Sequence, residues 1–173
     1  TTSPASPLVS VILPIYNAEP YLDQALNSVE RQTYKNLEII CLNDGSTDDS
    51  LSIMRAHAVR DARIVVIDKQ NQGYGATCNR GIDESHGEWI SIVEPDDWIE
   101  EGMYSDLLAL ASMYPKPIDI VKSGYWRIWL PDTPKQRKLN CSYHGRIHPP
   151  KQPFAIKDAA HLLCHHPSIW SAI

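Results

Sequence analysis

The chain has 173 residues, 43% of them hydrophobic and 21% charged, with a formal net charge of -5 at pH 7. That length supports one domain with a real core, and the acidic balance argues against nucleic acid as a partner while leaving an anionic ligand open, because a metal ion can supply positive charge locally. No apolar run approaches the roughly 20 residues that cross a bilayer, no leader pattern opens the sequence, and Cys41, Cys78, Cys141 and Cys164 form no CxxC pair, which points to a reducing compartment rather than a disulfide framework.

Leu8 to Pro14 reads as a strand, a run of branched apolar residues bounded by Pro7 and Pro14. From about Glu19 to Gln32, the residues Tyr21, Leu22, Ala25, Leu26 and Val29 recur at helical spacing. Leu37 to Leu42 predicts a second strand and Ser46 to about Ala58 a second helix. Ser46 and Asp49 have capping-box spacing there, with Asp in place of the usual Glu or Gln. Arg63 to Ile67, Gly75 to Ser85, Glu88 to Val93, Glu101 to Met113 and Ile118 to Lys122 continue as strand, helix, strand, helix and short strand. Such alternation predicts an α/β fold, a Rossmann-like and mostly parallel sheet with helices on both faces. Ligands then bind at the carboxyl ends of the strands.

The last third reads differently. Tyr125 to Trp129 has the look of an edge strand. Residues 131–153 hold Pro131, Pro134, Pro149, Pro150 and Pro153 among many basic residues, which predicts a long loop or irregular hairpin. Phe154 to Cys164 reads as a helix with Ile156, Ala159, Ala160 and Leu163 on one face. The start at Thr1 and the end at Ile173, inside an apolar helix-like pattern, give the expectation of a fragment of something longer.

Four polar clusters follow the strands. Pro14-Ile15-Tyr16-Asn17-Ala18-Glu19 is an aromatic turn that could hold a flat base, or simply a helix entry with Asn17 as N-cap. In Asn43-Asp44-Gly45-Ser46-Thr47-Asp48, Gly45 suits a positive φ and Ser46 a cap, which leaves Asp44 free to accept from a ring N–H such as uracil offers. In Asn71-Gln72-Gly73-Tyr74-Gly75-Ala76-Thr77-Cys78-Asn79-Arg80-Gly81, small residues allow close backbone approach and the helix N-terminus favours anions, with neither a Walker ending nor a dinucleotide fingerprint. Glu94-Pro95-Asp96-Asp97 crowds carboxylates where a strand emerges. Such acids repel unless a cation joins them, and hard oxygen ligands suit magnesium or manganese. The bland reading of that turn is a solvated helix cap.

In order and spacing, Val9 to Asn17, Asn43 to Asp48, Asn71-Gln72-Gly73 with Asn79-Arg80-Gly81, and Glu94 to Asp97 resemble the family 2 glycosyltransferases of GT-A fold. Two departures stand out: Glu94 and Asn43 each replace a commonly found aspartate. The resemblance implies a nucleotide-sugar-binding core over residues 8–122, an N-terminal extension over 1–7, and the start of a truncated acceptor-side region over 123–173. It implies Pro14, Tyr16, Asn17 and Glu19 around the nucleoside and Asp44 on the uracil. It puts Asn71, Gln72, Gly73 and Asn79 near the sugar diphosphate, Asp96 near ribose or metal, and Asp97 on a Mn2+ or Mg2+ ion.

The implied activity is inverting transfer of a hexosyl or N-acetylhexosaminyl group from a UDP-sugar to a glycan or lipid-linked acceptor in bacterial surface polysaccharide synthesis. The implied setting is the cytoplasm, at the inner face of the plasma membrane, with room for a homodimer and for peripheral membrane association of the full-length protein. The catalytic base is unknown, since neither Asp132 nor Asp158 stands out. A non-catalytic nucleotide-sugar-binding module is the alternative. A sugar-phosphate nucleotidyltransferase fits less well, because the turn after the first strand lacks glycine and lysine. His161 and His165 have the i, i+4 spacing of zinc sites, but Leu162, Leu163 and Cys164 between them make no HExxH. By the resemblance, His165 or His166 is a candidate contact for phosphate or acceptor. Trp126, Trp129 and Trp170 suit either sugar stacking or packing.

Overall fold

In the computed structural model, which describes residues 6–129 and 133–140, ten elements follow one another. They are β1 (Val9–Ile15), α1 (Glu19–Glu30), β2 (Leu37–Asp44), α2 (Ser50–Arg60), β3 (Ile64–Lys69), α3 (Tyr74–Asp83), β4 (Trp89–Ile92), α4 (Met103–Ser112), β5 (Trp126–Trp129) and β6 (Arg137–Asn140). β1 lies inside a four-stranded parallel sheet of order β3–β2–β1–β4, and all of its residues are buried. Its side chains alternate as a strand requires. Val9, Val11, Leu13 and Ile15 pack with Leu22, Leu26 and Val29 of α1, Met54 of α2 and Tyr104 and Leu107 of α4. Ile12 turns to the opposite face with Ile40 and Leu42 of β2. There α3 approaches so closely that a Cβ on Gly81 would lie 2.5 Å from Ile12 Cγ2. Helices therefore cover both faces, as the alternation predicts. Each buried branched side chain contributes about 1.5–3 kcal/mol relative to exposure.

Pro14 sits inside a central strand without cost to the ladder. Ile12 O accepts the Val93 N–H, so residues 12 and 14 face the β4 side, and β4 ends before it reaches Pro14. The chain steps outward from β1 to β3 and then returns to the far side of β1 as β4. This reversal of strand order opens a crevice at the carboxyl ends.

Several local expectations are corrected. Ser46 does not cap α2; the helix begins at Ser50 with Asp49 at the N-cap, and Ser46 Oγ instead accepts the Asn17 N–H at 3.0 Å. Asn17 does not cap α1 either. Ala18 holds that position, because Asn17 Oδ1 accepts the Thr47 N–H at 2.8 Å. Partners from the neighbouring loop displace both local caps. Ile118 to Lys122 forms no continuous strand: it pairs only as an isolated bridge at Lys122, and of its residues only Val121 is buried. Trp126 to Trp129 is not an edge of the main sheet. It pairs antiparallel with Arg137 to Asn140, a partner close in sequence, as a separate two-stranded sheet. β2 and β3 run further than expected, to Asp44 and Lys69, and these two end residues face each other. The helix expected over Phe154–Cys164 lies outside the described residues, as do Asp132, Asp158, His161, His165, His166 and Trp170.

Candidate nucleotide-sugar site

At the carboxyl ends of β1, β2 and β3 a cavity of about 280 Å³ opens, lined by Pro14, Ile15, Tyr16, Asp44, Asn71, Gly73, Tyr74 and Thr77. Pro14, Tyr16, Asp44, Asn71 and Gly73 of the sequence-predicted set therefore meet. Ile15, Tyr74 and Thr77 join them; all three lie inside the polar clusters that follow the strands, but sequence alone assigned them no individual role. Tyr16 presents a half-exposed ring of the kind on which a flat base can stack.

Gly45 is what lets the β2 turn meet the β3–α3 loop. It holds φ +72°, and a Cβ there would lie 2.9 Å from Asn71 N. Gly73, at φ +86°, turns the chain into α3.

Asp44 is not free. Its Oδ1 meets Lys69 Nζ and accepts the Gln72 N–H at 2.9 Å, and its Oδ2 accepts the Gly73 N–H at 3.0 Å. Burial works to raise its carboxyl, but the Lys69 ammonium and the Gln72 amide outweigh it and hold the group below the usual carboxylate range. Gln72 thus reaches the site through its backbone, while Asn79 is exposed on α3 outside the cavity lining.

Asn17 and Glu19 lace the β1–α1 loop to the β2–α2 loop. Asn17, at φ 49°, bonds Thr47 as above, Asp48 Oδ2 accepts the Glu19 N–H at 3.0 Å, and Glu19 Oε2 accepts the Asp49 N–H at 3.3 Å. Ser50 Oγ completes the seam by accepting the Ala18 N–H at 3.0 Å. These residues hold the shape of the rim rather than lining the cavity.

The acidic turn stands beside this rim. The Asp97 N–H closes it on Glu94 O at 3.1 Å, and the Tyr74 hydroxyl, from the cavity wall, donates to Glu94 Oε1 at 2.5 Å. Lost hydration and the Asp96 and Asp97 charges push the Glu94 carboxyl up, against the Tyr74 bond. Lost hydration and the Asp96 charge push up Asp97, which is nonetheless open to solvent.

A divalent ion would relieve this repulsion, and the donor set is hard oxygen, so the residues fit Mn2+ or Mg2+. Among the described residues no three His, Cys, Asp or Glu side chains gather as a complete cage. Two carboxylates completed by water and phosphate oxygens are the usual arrangement for such an ion. Further back, Ser28 Oγ accepts the Ile99 N–H at 3.2 Å, and buried Gln32 bonds Glu100 O at 2.7 Å and the Tyr104 N–H at 3.3 Å. α1 thereby anchors the segment that follows the turn.

Comparison with known proteins fits this geometry. The model of glycosyl transferase family 2 matches residues 10–166, and the chain belongs to that family. It is 40% identical over 121 residues to the uncharacterized glycosyltransferase EpsJ of Bacillus subtilis, covering 70% of this chain and 35% of that protein. It is 37% identical over 115 residues to the minor teichoic acid biosynthesis protein GgaB of the same organism, covering 65% of this chain and 13% of that protein. The crystal structure of Staphylococcus aureus TarS 1-349 in complex with UDP-GlcNAc superposes with a TM-score of 0.60 at 29% identity, over 65% of this chain and 33% of that one. The fold is the GT-A type. The chain spans about a third of the length of EpsJ and of the TarS chain. Among the described residues no helix is long and apolar enough to cross a membrane.

Proposed function

We propose that residues 8–122 bind a UDP-sugar for a metal-dependent, inverting glycosyltransferase acting in surface polysaccharide synthesis on a glycan or lipid-linked acceptor. The observation that carries this reading is the cavity at the strand ends, with the Asp44 carboxylate and Tyr16 ring on its wall and the Asp96–Asp97 turn beside it. The UDP-GlcNAc bound to TarS and the teichoic acid role in the name of GgaB support the donor and the pathway class.

In this reading Tyr16 stacks on the base, and Asp44 accepts from the uracil N3–H. The amides at the start of α3 face the diphosphate. Asp97, with Asp96, would hold Mn2+ or Mg2+, which supplies positive charge against the leaving diphosphate. Asn17 and Glu19 keep the two loops of the rim in place. Asn79 is assigned to the diphosphate side. The acceptor hydroxyl is deprotonated by a carboxylate outside the described residues, and transfer belongs to the whole protein.

Titration calorimetry tests the donor half. UDP is expected to bind more tightly than CDP or ADP, and more tightly with manganese than with a chelator. Asp97→Ala should abolish the metal-dependent part with the thermal midpoint unchanged. Equal affinity with and without metal would remove the ion from the reading. Equal affinity for UDP and CDP would remove uracil from it.

A further inference from the structure

Lys69 ends β3, Asp44 ends β2, and the parallel register sets them opposite each other. Both side chains are nearly out of water, 14% and 5% exposed. The Lys69 ammonium meets Asp44 Oδ1 and also donates to Gln70 O at 3.2 Å. An ionised carboxylate has about four lone-pair sites. Lys69 and the Gln72 N–H occupy both sites on Oδ1, and the Gly73 N–H occupies one on Oδ2. The Thr77 hydroxyl also reaches the carboxylate, but it donates its one proton to Gly73 O at 2.9 Å, so a site on Oδ2 remains for the base, and Asp44 lines the cavity. We propose that Lys69 is a specificity-determining positioning residue, which pairs with Asp44 and immobilises its carboxylate so that only an acceptor is offered to the base. This rests on the uridine reading of the cavity.

The chemistry turns on one proton. A uracil ring carries a hydrogen on N3, and a cytosine ring has a bare N3. An ionised carboxylate matches the first and repels the second, whereas a neutral carboxyl can donate to the second. Without Lys69, Asp44 would be a buried carboxylate with no counter-charge, and burial would favour its neutral form. The other groups facing it are the Gln72 and Gly73 amides of the loop and the Thr77 hydroxyl of α3, with the Tyr16 and Tyr74 rings on the same cavity wall. None of these carries a positive charge. Lys69 therefore determines which pyrimidine the site accepts without touching the ring itself.

The experiment measures UDP and CDP binding to the wild type, K69M and K69R over a range of pH, with thermal midpoints recorded for each. UDP preference is expected in the wild type and in K69R. In K69M, UDP affinity is expected to fall at least about tenfold, the loss typical of a charge-assisted contact, while CDP affinity holds or rises. The acid limit of UDP binding should also move to higher pH in K69M, because Asp44 protonates more readily. A folded K69M with the wild-type UDP-to-CDP ratio and acid limit would make the pair purely structural and overturn the proposal. K69Q serves the same comparison if K69M does not fold, and failure of both to fold would overturn it as well. A wild type that binds UDP and CDP equally would instead overturn the uridine reading.

Discussion

Gly45 links a backbone constraint to the site more directly than any other single residue. Its positive φ and the 2.9 Å approach to Asn71 N leave no room for a side chain. Gly45→Ala would strain the turn and push the β2 end away from the β3–α3 loop. A loss of roughly 1–3 kcal/mol is expected from denaturant unfolding, with UDP affinity falling in parallel because Asp44 and Asn71 part. Gly45 was legible in the sequence, since a glycine between Asp44 and Ser46 after an apolar run signals a turn. Lys69 was not. Nothing in Ile67-Asp68-Lys69-Gln70 says that the lysine faces a carboxylate from the preceding strand, because that depends on register.

Among the elements, α1 ties together β1, α2 and the segment after the acidic turn. Its apolar stripe packs under β1. Its side chains Asp23 and Glu30 meet the two ring nitrogens of buried His57 from α2, at 2.8 and 2.5 Å. Ser28 near its carboxyl end, with Gln32 just beyond that end, holds the segment that follows the acidic turn. Gln32→Leu keeps the volume but leaves Glu100 O and the Tyr104 N–H without their partner. A destabilisation of about 1–3 kcal/mol is expected, measured by the urea midpoint. Because the acidic turn would lose its support, the metal-dependent gain in UDP affinity should shrink too. The stripe of α1 could be read from spacing alone. The role of Gln32 could not, since a polar residue near a helix end is more often solvated than buried.

At the scale of the whole molecule, charge explains the expected response to acid. Hydrogen bonds from Arg63 draw the Asp61 carboxyl down. Burial opposes the same effect at Glu38, but bonds from Ser10 and His86 outweigh it, as Lys69 and Gln72 do at Asp44. Carboxylates with folded values below their unfolded ones, near 3.9 for Asp and 4.3 for Glu, stabilise the fold above those values and lose that contribution as pH falls through the depressed ones. The thermal midpoint should therefore drop as pH falls below about 4. The raised Glu94 and Asp97 carboxyls act in the opposite sense only above that pH, so a midpoint that rises below about pH 4 would contradict this.

The alternation of strand and helix, the burial of β1 on both faces and the crowding of acids after β4 followed from the sequence by itself. Each arises among neighbours in the chain, where side-chain periodicity and backbone sterics act. Only the tertiary structure decided that Asn17 and Ser46 bond across loops instead of capping helices, that Trp126 to Trp129 leaves the main sheet, and that Lys69 meets Asp44 while Tyr74 meets Glu94. Those partners lie roughly 10 to 30 positions apart in the sequence. Strand register and helix docking select them, and local pattern carries no record of that selection.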